Sequence, residues 1–275
     1  MSVGHFGYQW AEFSQTQIRD EASRSDSIHR LLKNCGVSPD WFKDKVVLEV
    51  GCGAGRFTGI LLEWGARCIG IDPTAAIYVN KKNYPHKRAF HIQGDICEGP
   101  PCLNRADFVL CYGVIQHLKN RKTGVQNMLK ALAPGGRFSM DTYEWRWRLD
   151  PYNLPKYFWR PITKRIPSAF LLKLIRSYLA VWYPVDTGIK KIPKIGKALS
   201  ALTLLPCYSY PDTGLTPQEQ HEWAILDTFD ALGAEYDKPF TKQGWRKFWE
   251  SMPVLDLDIF RGGNGLIANG RKGFS

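Results

Sequence analysis

Short apolar runs alternate with stretches of helical periodicity through the first half of the chain. Lys45–Val50, K-V-V-L-E-V, is a β-branched run suited to a strand buried on both faces. The glycine turn G-C-G-A-G follows at once. Phe57–Trp64 then places apolar residues at helical spacing, and Arg67–Asp72, R-C-I-G-I-D, reads as a second strand. Strand, turn, helix and strand in this order have the length of a right-handed βαβ crossover. The alternation continues with a helix over Ala75–Tyr84, strands over Ala89–Gln93 and Ala106–Cys111, a helix over Arg121–Ala131 and a strand over Gly136–Met140. Upstream, Gln15–Lys33 sets Ile18, Ala22, Ile28, Leu31 and Leu32 at helical spacing, with Gly36 as the stop.

After Tyr143 the pattern changes. Residues 145–215 are rich in Trp, Tyr, Pro, Lys and Arg and carry no strand signal, which predicts an insertion of helix and loop. Pro217–Leu232 and Thr241–Ser251 return to helical spacing, and Val254–Phe260 and Gly265–Asn269 supply two last strands. The expected fold is α/β: a doubly wound, mostly parallel, seven-stranded Rossmann-like sheet with a helical insertion after the fifth strand. Three segments follow: 1–144 as an N-terminal cap and nucleoside-binding core, 145–215 as a basic, substrate-binding insertion, and 216–275 as the completion of the sheet.

Composition narrows the class. The 275 residues suit one large domain, or one domain with an insertion, more than two full domains. The N-terminus M-S-V-G-H-F-G-Y-Q-W lacks a basic start followed by an apolar run, and no stretch of 18 apolar residues occurs, so a cytoplasmic protein with no transmembrane segment is expected. Seven cysteines, without a C-x-x-C pair, suggest reduced, buried thiols and neither a zinc site nor a disulfide framework. Ten Trp exceed what a minimal core needs, so some rings are expected at a site. The net charge of +11 is local: residues 151–205 hold ten Lys/Arg against one acid, Asp186. Such a segment suits phosphates, an anionic membrane or an anionic substrate, and equally a solvated face.

The chemistry sits in V-L-E-V-G-C-G-A-G-R, residues 47–56. Gly51, Gly53 and Gly55 let the backbone turn sharply and expose bare peptide groups to a ligand. A dinucleotide fingerprint needs its third glycine one position later, where Arg56 stands. The acid Glu49 two residues before the first glycine suits a ligand with an ammonium and a sulfonium better than a diphosphate. On these residues the chain resembles the class I S-adenosylmethionine-dependent methyltransferases over most of 45–141. The resemblance implies that Glu49, Gly51, Cys52, Gly53 and Gly55 cradle the methionine part of the cofactor. It implies that Asp72, followed by Pro73, holds the ribose hydroxyls, and that Asp95 and Ile96 in Q-G-D-I meet the adenine. Cys111 and Tyr112 in D-F-V-L-C-Y-G-V-I-Q-H-L match the loop beside the methyl group, and A-P-G-G-R-F, 133–138, matches the turn into the fifth strand.

Methyl transfer is an in-line displacement at a sulfonium, so alignment of the acceptor supplies much of the rate. His117 lies where the family often has a histidine near the reacting methyl, and is the candidate base for a hydroxyl acceptor; a histidine after a strand is more often structural. The segments F-G-Y-Q-W (6–10) and L-D-T-F-D-A-L-G-A-E-Y-D-K-P (226–239) resemble those of small-molecule enzymes of sugar and natural-product type. Tyr8 and Trp10 are candidate lid residues, and Tyr143, Asp227, Asp230 and Tyr236 candidate acceptor contacts, against capping, surface charge and core packing as the plain readings. No ligand spacing demands a metal.

In Ser168–Tyr183 the polar or small residues Lys173, Arg176, Ser177 and Ala180 form a narrow stripe on an otherwise apolar helix. That helix can roof a pocket, bind a partner or rest on a membrane, packing in the fold being the plainer role. The expected function is methylation of a small-molecule acceptor, oxygen favoured. The alternatives are a tRNA-modifying methyltransferase using the basic insertion, a methyltransferase of a lipid-linked acceptor, and a non-catalytic partner that holds the cofactor. Nucleic acid is the less favoured partner, because the insertion mixes its cations with aliphatic stretches.

Overall fold

The strands form where the β-branched runs lie. The structure, a computed structural model, describes residues 3–16, 18, 21–145, 153–209 and 215–273. The chain divides into two compact units, one of Arg24–Trp145 with Tyr236–Ser275 and one of Ser2–Ser23 with Arg146–Glu235.

The first unit is a seven-stranded sheet: β1 (Val46–Val50), β2 (Arg67–Asp72), β3 (Ala89–Gln93), β4 (Ala106–Cys111), β5 (Leu132–Thr142), β6 (Val254–Gly262) and β7 (Gly265–Lys272). Their order is β3-β2-β1-β4-β5-β7-β6, with β1 to β5 parallel and β7 antiparallel to both its neighbours. This is the doubly wound, mostly parallel sheet expected. Successive residues of β4 show why such a run is apolar throughout: Phe108 and Leu110 join the hydrophobic cluster on one face, Val109 and Cys111 the cluster on the other. Helices α3 (Thr58–Glu63), α4 (Ala76–Asn83), α5 (Arg121–Ala131) and α10 (Lys242–Glu250) are the predicted ones within a residue or two, and most of α2 (Glu21–Asn34) lies in this unit. The predicted Gln15–Lys33 helix starts later, at Glu21; Gln17, Arg19 and Asp20 of that prediction lie outside the described residues. Strand β5 begins at Leu132, four residues before the predicted start, since the A-P-G-G turn joins it with a register shift opposite Ala106 and Phe108.

The second unit is helical: α1 (Val3–Glu12), α6 (Leu154–Thr163), α7 (Ser168–Lys190), α8 (Gly196–Leu202) and α9 (Pro217–Gly233). Leu171, Leu172, Ile175 and Leu179 of α7 meet Ile225, Leu226, Phe229 and Leu232 of α9 and Phe13 in one core. The N-terminal segment was expected with the sheet and 216–235 with the closing strands; both instead complete this helical core. The reason is local fit. The His5 ring lies 4.2 Å from the Phe229 ring, and a Cβ at Gly233 would stand 1.8 Å from His5, so only glycine fits there. Residues 146–152 and 210–214 of the predicted insertion lie outside the described residues.

Candidate functional site

Strand β1 runs into Gly51, Gly53 and Gly55, with φ of 69°, 50° and 102°, a backbone that side-chain-bearing residues rarely adopt. The Gly51 N–H donates to Ile71 O at 2.8 Å, and the Gly53 N–H donates to Asp72 Oδ2 at 3.1 Å, so the loop is fastened to the end of β2. A Cβ at Gly51 would approach Val114 to 2.3 Å, and one at Gly55 would approach the Tyr84 ring to 2.6 Å. These glycines therefore admit neighbouring side chains as well as a turn.

Asp72 is buried at 5% exposure, and its Oδ1 accepts from the Thr74 N–H at 2.9 Å and the Thr74 hydroxyl at 2.6 Å. Burial pushes its carboxyl up, and the donors from Thr74 and Gly53 oppose that rise. Glu49, also buried, accepts from the Thr58 hydroxyl at 2.6 Å, which in turn accepts from Asn80 Nδ2 at 2.9 Å. Loss of water and the nearby Asp72 carboxylate push Glu49 up to about 8. Its visible partner belongs to α3, so it fastens β1 to that helix whatever else it does. Cys52 packs against Gly70, where a Cβ would lie 2.9 Å from its sulfur; burial and the two acids hold its thiol well above the usual range, which makes it a packing residue and not a nucleophile.

The remaining predicted cofactor residues fall at the ends of β2, β3 and β4. Pro73 is half-buried between Asp72 and Thr74. Asp95 Oδ1 accepts from the Cys97 N–H at 2.8 Å, and Ile96 is 2% exposed in the apolar core. Cys111 is wholly buried in that core, and the Tyr112 hydroxyl shares a hydrogen bond of 2.6 Å with Ser139. Both side chains are thus engaged by the fold.

His117 is buried in the short 3₁₀ turn Ile115–His117 after β4. Its Nδ1 donates to Tyr236 O at 2.6 Å, and its ring meets Tyr143 edge-on at 5.6 Å. A carbonyl oxygen only accepts, so Nδ1 carries the proton and Nε2 is the nitrogen that can take one up. The neighbouring Gln116 accepts from the Tyr143 N–H at 3.4 Å, and among the described residues its buried Nε2 has no hydrogen-bond partner. The structure thus brings His117, Tyr143 and Tyr236 together in the first unit. It places Tyr8, Trp10, Asp227 and Asp230 in the second, with Tyr8 and Trp10 on α1, where Tyr8 packs 6.2 Å from Phe229, and the two acids half-exposed on α9.

One strongly paired group was not singled out in the sequence. Asp141, wholly buried near the end of β5, accepts from the Gly113 N–H and pairs with Arg30 at 2.6 Å. The Arg30 guanidinium also lies 5.3 Å from the Tyr112 ring centre. Asp141 stands at the end of a parallel strand, the place where ligands meet such sheets, and that position was its only signal.

A sheet of this order, with a glycine loop after β1 and a buried acid closing β2, is the arrangement that the resemblance to class I S-adenosylmethionine-dependent methyltransferases implied. Residues 48–140 match the methyltransferase domain family. Over 106 residues the chain is 33% identical to the mitochondrial ubiquinone biosynthesis O-methyltransferase of Rattus norvegicus, covering 35% of this chain and 30% of that protein. It is 31% identical over 106 residues to the tRNA U34 carboxymethyltransferase of Cellvibrio japonicus, covering 36% of this chain and 33% of that one. The chain thus spans about a third of the length of these curated relatives. The solved structure of Burkholderia thailandensis 1,6-didemethyltoxoflavin-N1-methyltransferase superposes with a TM-score of 0.52 over 98% of this chain and 85% of that one, at 15% identity. That likeness is one of fold.

Proposed function

We propose that the chain transfers the methyl group of S-adenosylmethionine to a small-molecule acceptor, at an oxygen. The observation that carries the reading is the bond from Gly53 N–H to the Asp72 carboxylate, which joins the glycine loop to the acid suited to a ribose. Asp72 is already oriented by the loop and Thr74, so a diol would meet a preset carboxylate. In this reading Gly51, Cys52, Gly53 and Gly55 offer backbone to the methionine part, with Glu49 beside them, and Pro73, Asp95, Ile96, Cys111 and Tyr112 border the nucleoside. When bound, the cofactor supplies an electrophilic methyl group on sulfur.

The protein's own contribution at the acceptor is His117. Its Nδ1 proton, committed to Tyr236 O, fixes the tautomer that leaves Nε2 to take the acceptor hydroxyl proton. Tyr143 sets the ring from its edge. His117→Gln should lower kcat by about 100-fold or more, without weakening cofactor binding. An acceptor that loses no reactive proton would show no such drop.

Calorimetry with S-adenosylmethionine tests the cofactor reading. Asp72→Ala should weaken binding by about 1–3 kcal/mol, the cost of unpaired hydroxyls; unchanged affinity, or preference for NAD in competition, would overturn it. Labelled cofactor offered with fractionated small-molecule extract and, separately, with tRNA identifies the acceptor class, and methylation of tRNA alone would move the reading to RNA.

A further inference from the structure

Helix α7 has two unlike sides. Its buried residues Leu171, Leu172, Ile175 and Leu179 face the core of the helical unit. On the other side Phe170, Leu174, Val181 and Val185 fall within an arc of about 60° at helical spacing. They are 56%, 44%, 73% and 47% exposed. Lys173 is exposed beside the stripe, and Arg176, further round the helix, pairs with Glu12 at 3.5 Å. The pattern extends to α6 and α8. Trp159 Nε1 donates to Leu204 O at 2.7 Å, which sets the exposed rings of Phe158 and Trp159 beside the end of α8, where Leu202 is 69% exposed. Of the seventeen large apolar side chains exposed among the described residues, twelve lie between 158 and 205.

The charge of the same stretch is segregated. Lys156 and Arg160 are buried, and Lys190 is spent on Asp186 at 2.7 Å, the one acid of residues 151–205. Every other cation there is exposed, including Lys164, Arg165, Lys191, Lys194 and Lys197. No helix among the described residues is long and apolar enough to cross a membrane. A surface that keeps aliphatic side chains in water and surrounds them with lysine fits an interface with a hydrocarbon layer below and negative headgroups above it.

We propose that the α6–α8 face docks on the surface of an anionic phospholipid bilayer. A second copy of the chain would bring the same positive face against itself. A nucleic acid would use the lysines and the rings but not Val181 or Leu202, since its backbone and base faces offer no aliphatic layer. A bilayer uses both. The inference does not depend on the methyl-transfer reading; where both hold, the acceptor is one presented at the membrane surface.

Sedimentation of the full chain with vesicles of phosphatidylcholine, alone or mixed with phosphatidylglycerol, tests it. At least about tenfold greater partition onto the anionic vesicles is expected. Leu174→Asp with Val181→Asp should reduce that partition about tenfold, as should Lys191→Glu with Lys194→Glu, while circular dichroism and S-adenosylmethionine affinity stay unchanged. Leu202→Asp, at a separate exposed site, serves if the first pair fails to fold. No partition, equal partition onto neutral vesicles, or partition indifferent to every apolar substitution would overturn the proposal. So would a dimer abolished by these substitutions, or tRNA binding that survives them without vesicle binding.

Discussion

Both units bury carboxylates, and they treat them in opposite ways. In the helical unit Asp186 is wholly buried, and it is answered in full: Lys190 at 2.7 Å, with the hydroxyls of Ser200 and Ser209. Lys190 itself donates further to Cys207 O and Ser209, so the cluster is closed. In the sheet unit Asp72 lies close enough to Glu49 to disfavour its ionisation, and among the described residues neither forms an ion pair. They have only hydroxyl and amide donors. A buried acid whose counter-charge is built in is part of the architecture. Two neighbouring buried acids with no cation among the described residues fit the proposed cofactor, whose ammonium or sulfonium would supply one.

If the contrast holds, the largest effect belongs to the closed cluster. Asp186→Ala strands a buried ammonium, and should cost about 3–5 kcal/mol of stability in the helical unit, read by denaturant unfolding. Asp186→Leu combined with Lys190→Met should recover most of that loss, because removing both charges leaves no uncompensated ion. A single substitution as mild as the double one would show that the cluster is not closed.

The open pair should answer to pH instead. Glu49 holds its proton to about pH 8 in the folded chain and to about 4.5 when unfolded. Between these values the folded state binds the extra proton, so stability is greatest at the acid end of this window, falls as pH rises through it, and levels above 8. Glu49→Gln keeps an acceptor for Thr58 and removes the titration, so it should flatten that fall and stabilise the chain by on the order of 2–3 kcal/mol at pH 8. Added S-adenosylmethionine should flatten it as well, by favouring the ionised acid. A wild-type profile already flat between pH 5 and 8 would show that Glu49 is not the buried, unanswered acid described.

The same contrast separates what was legible in the sequence from what was not. The β1–β5 alternation was readable because each strand's burial depends on its own residues: Phe108, Val109 and Leu110 need only be apolar in a row. The glycine loop and Asp72 were readable because they follow their strands directly. The helical unit was not, since its core joins Phe13, Leu171 and Phe229, and no local period shows that residues so far apart share an interior. For that reason α1 read as a lid segment, and the fit of His5 against Gly233 was invisible. The Arg30–Asp141 pair failed for the same reason, its members standing 111 positions apart. His117 was legible as a candidate by position alone; the acceptor that sets its tautomer is the backbone carbonyl of Tyr236, which the sequence offered only as a ring.

The smallest effect tests whether the two units are also separate in stability. Helix α9 cannot lean on a strand ladder, and its first turn is satisfied by a side-chain device: Thr216 accepts from the Glu219 N–H at 3.3 Å, and the Glu219 carboxylate accepts from the Thr216 N–H at 2.8 Å. At the other end Arg160 donates to the carbonyls of Ala231 and Ala234, a cation at the negative end of the helix dipole. Thr216→Ala removes half of the N-terminal device and should cost about 1 kcal/mol, whereas Thr216→Ser should cost little. Hydrogen exchange followed residue by residue turns that loss into about a fivefold loss of protection for the α9 amides. If β1 and β4 amides keep their protection, the helical unit opens on its own, and the closed acid cluster and the open acid pair belong to independently unfolding parts. If the sheet amides lose the same factor, the units unfold together, and Asp186 supports the cofactor crevice through global stability despite the different chemistry of its burial.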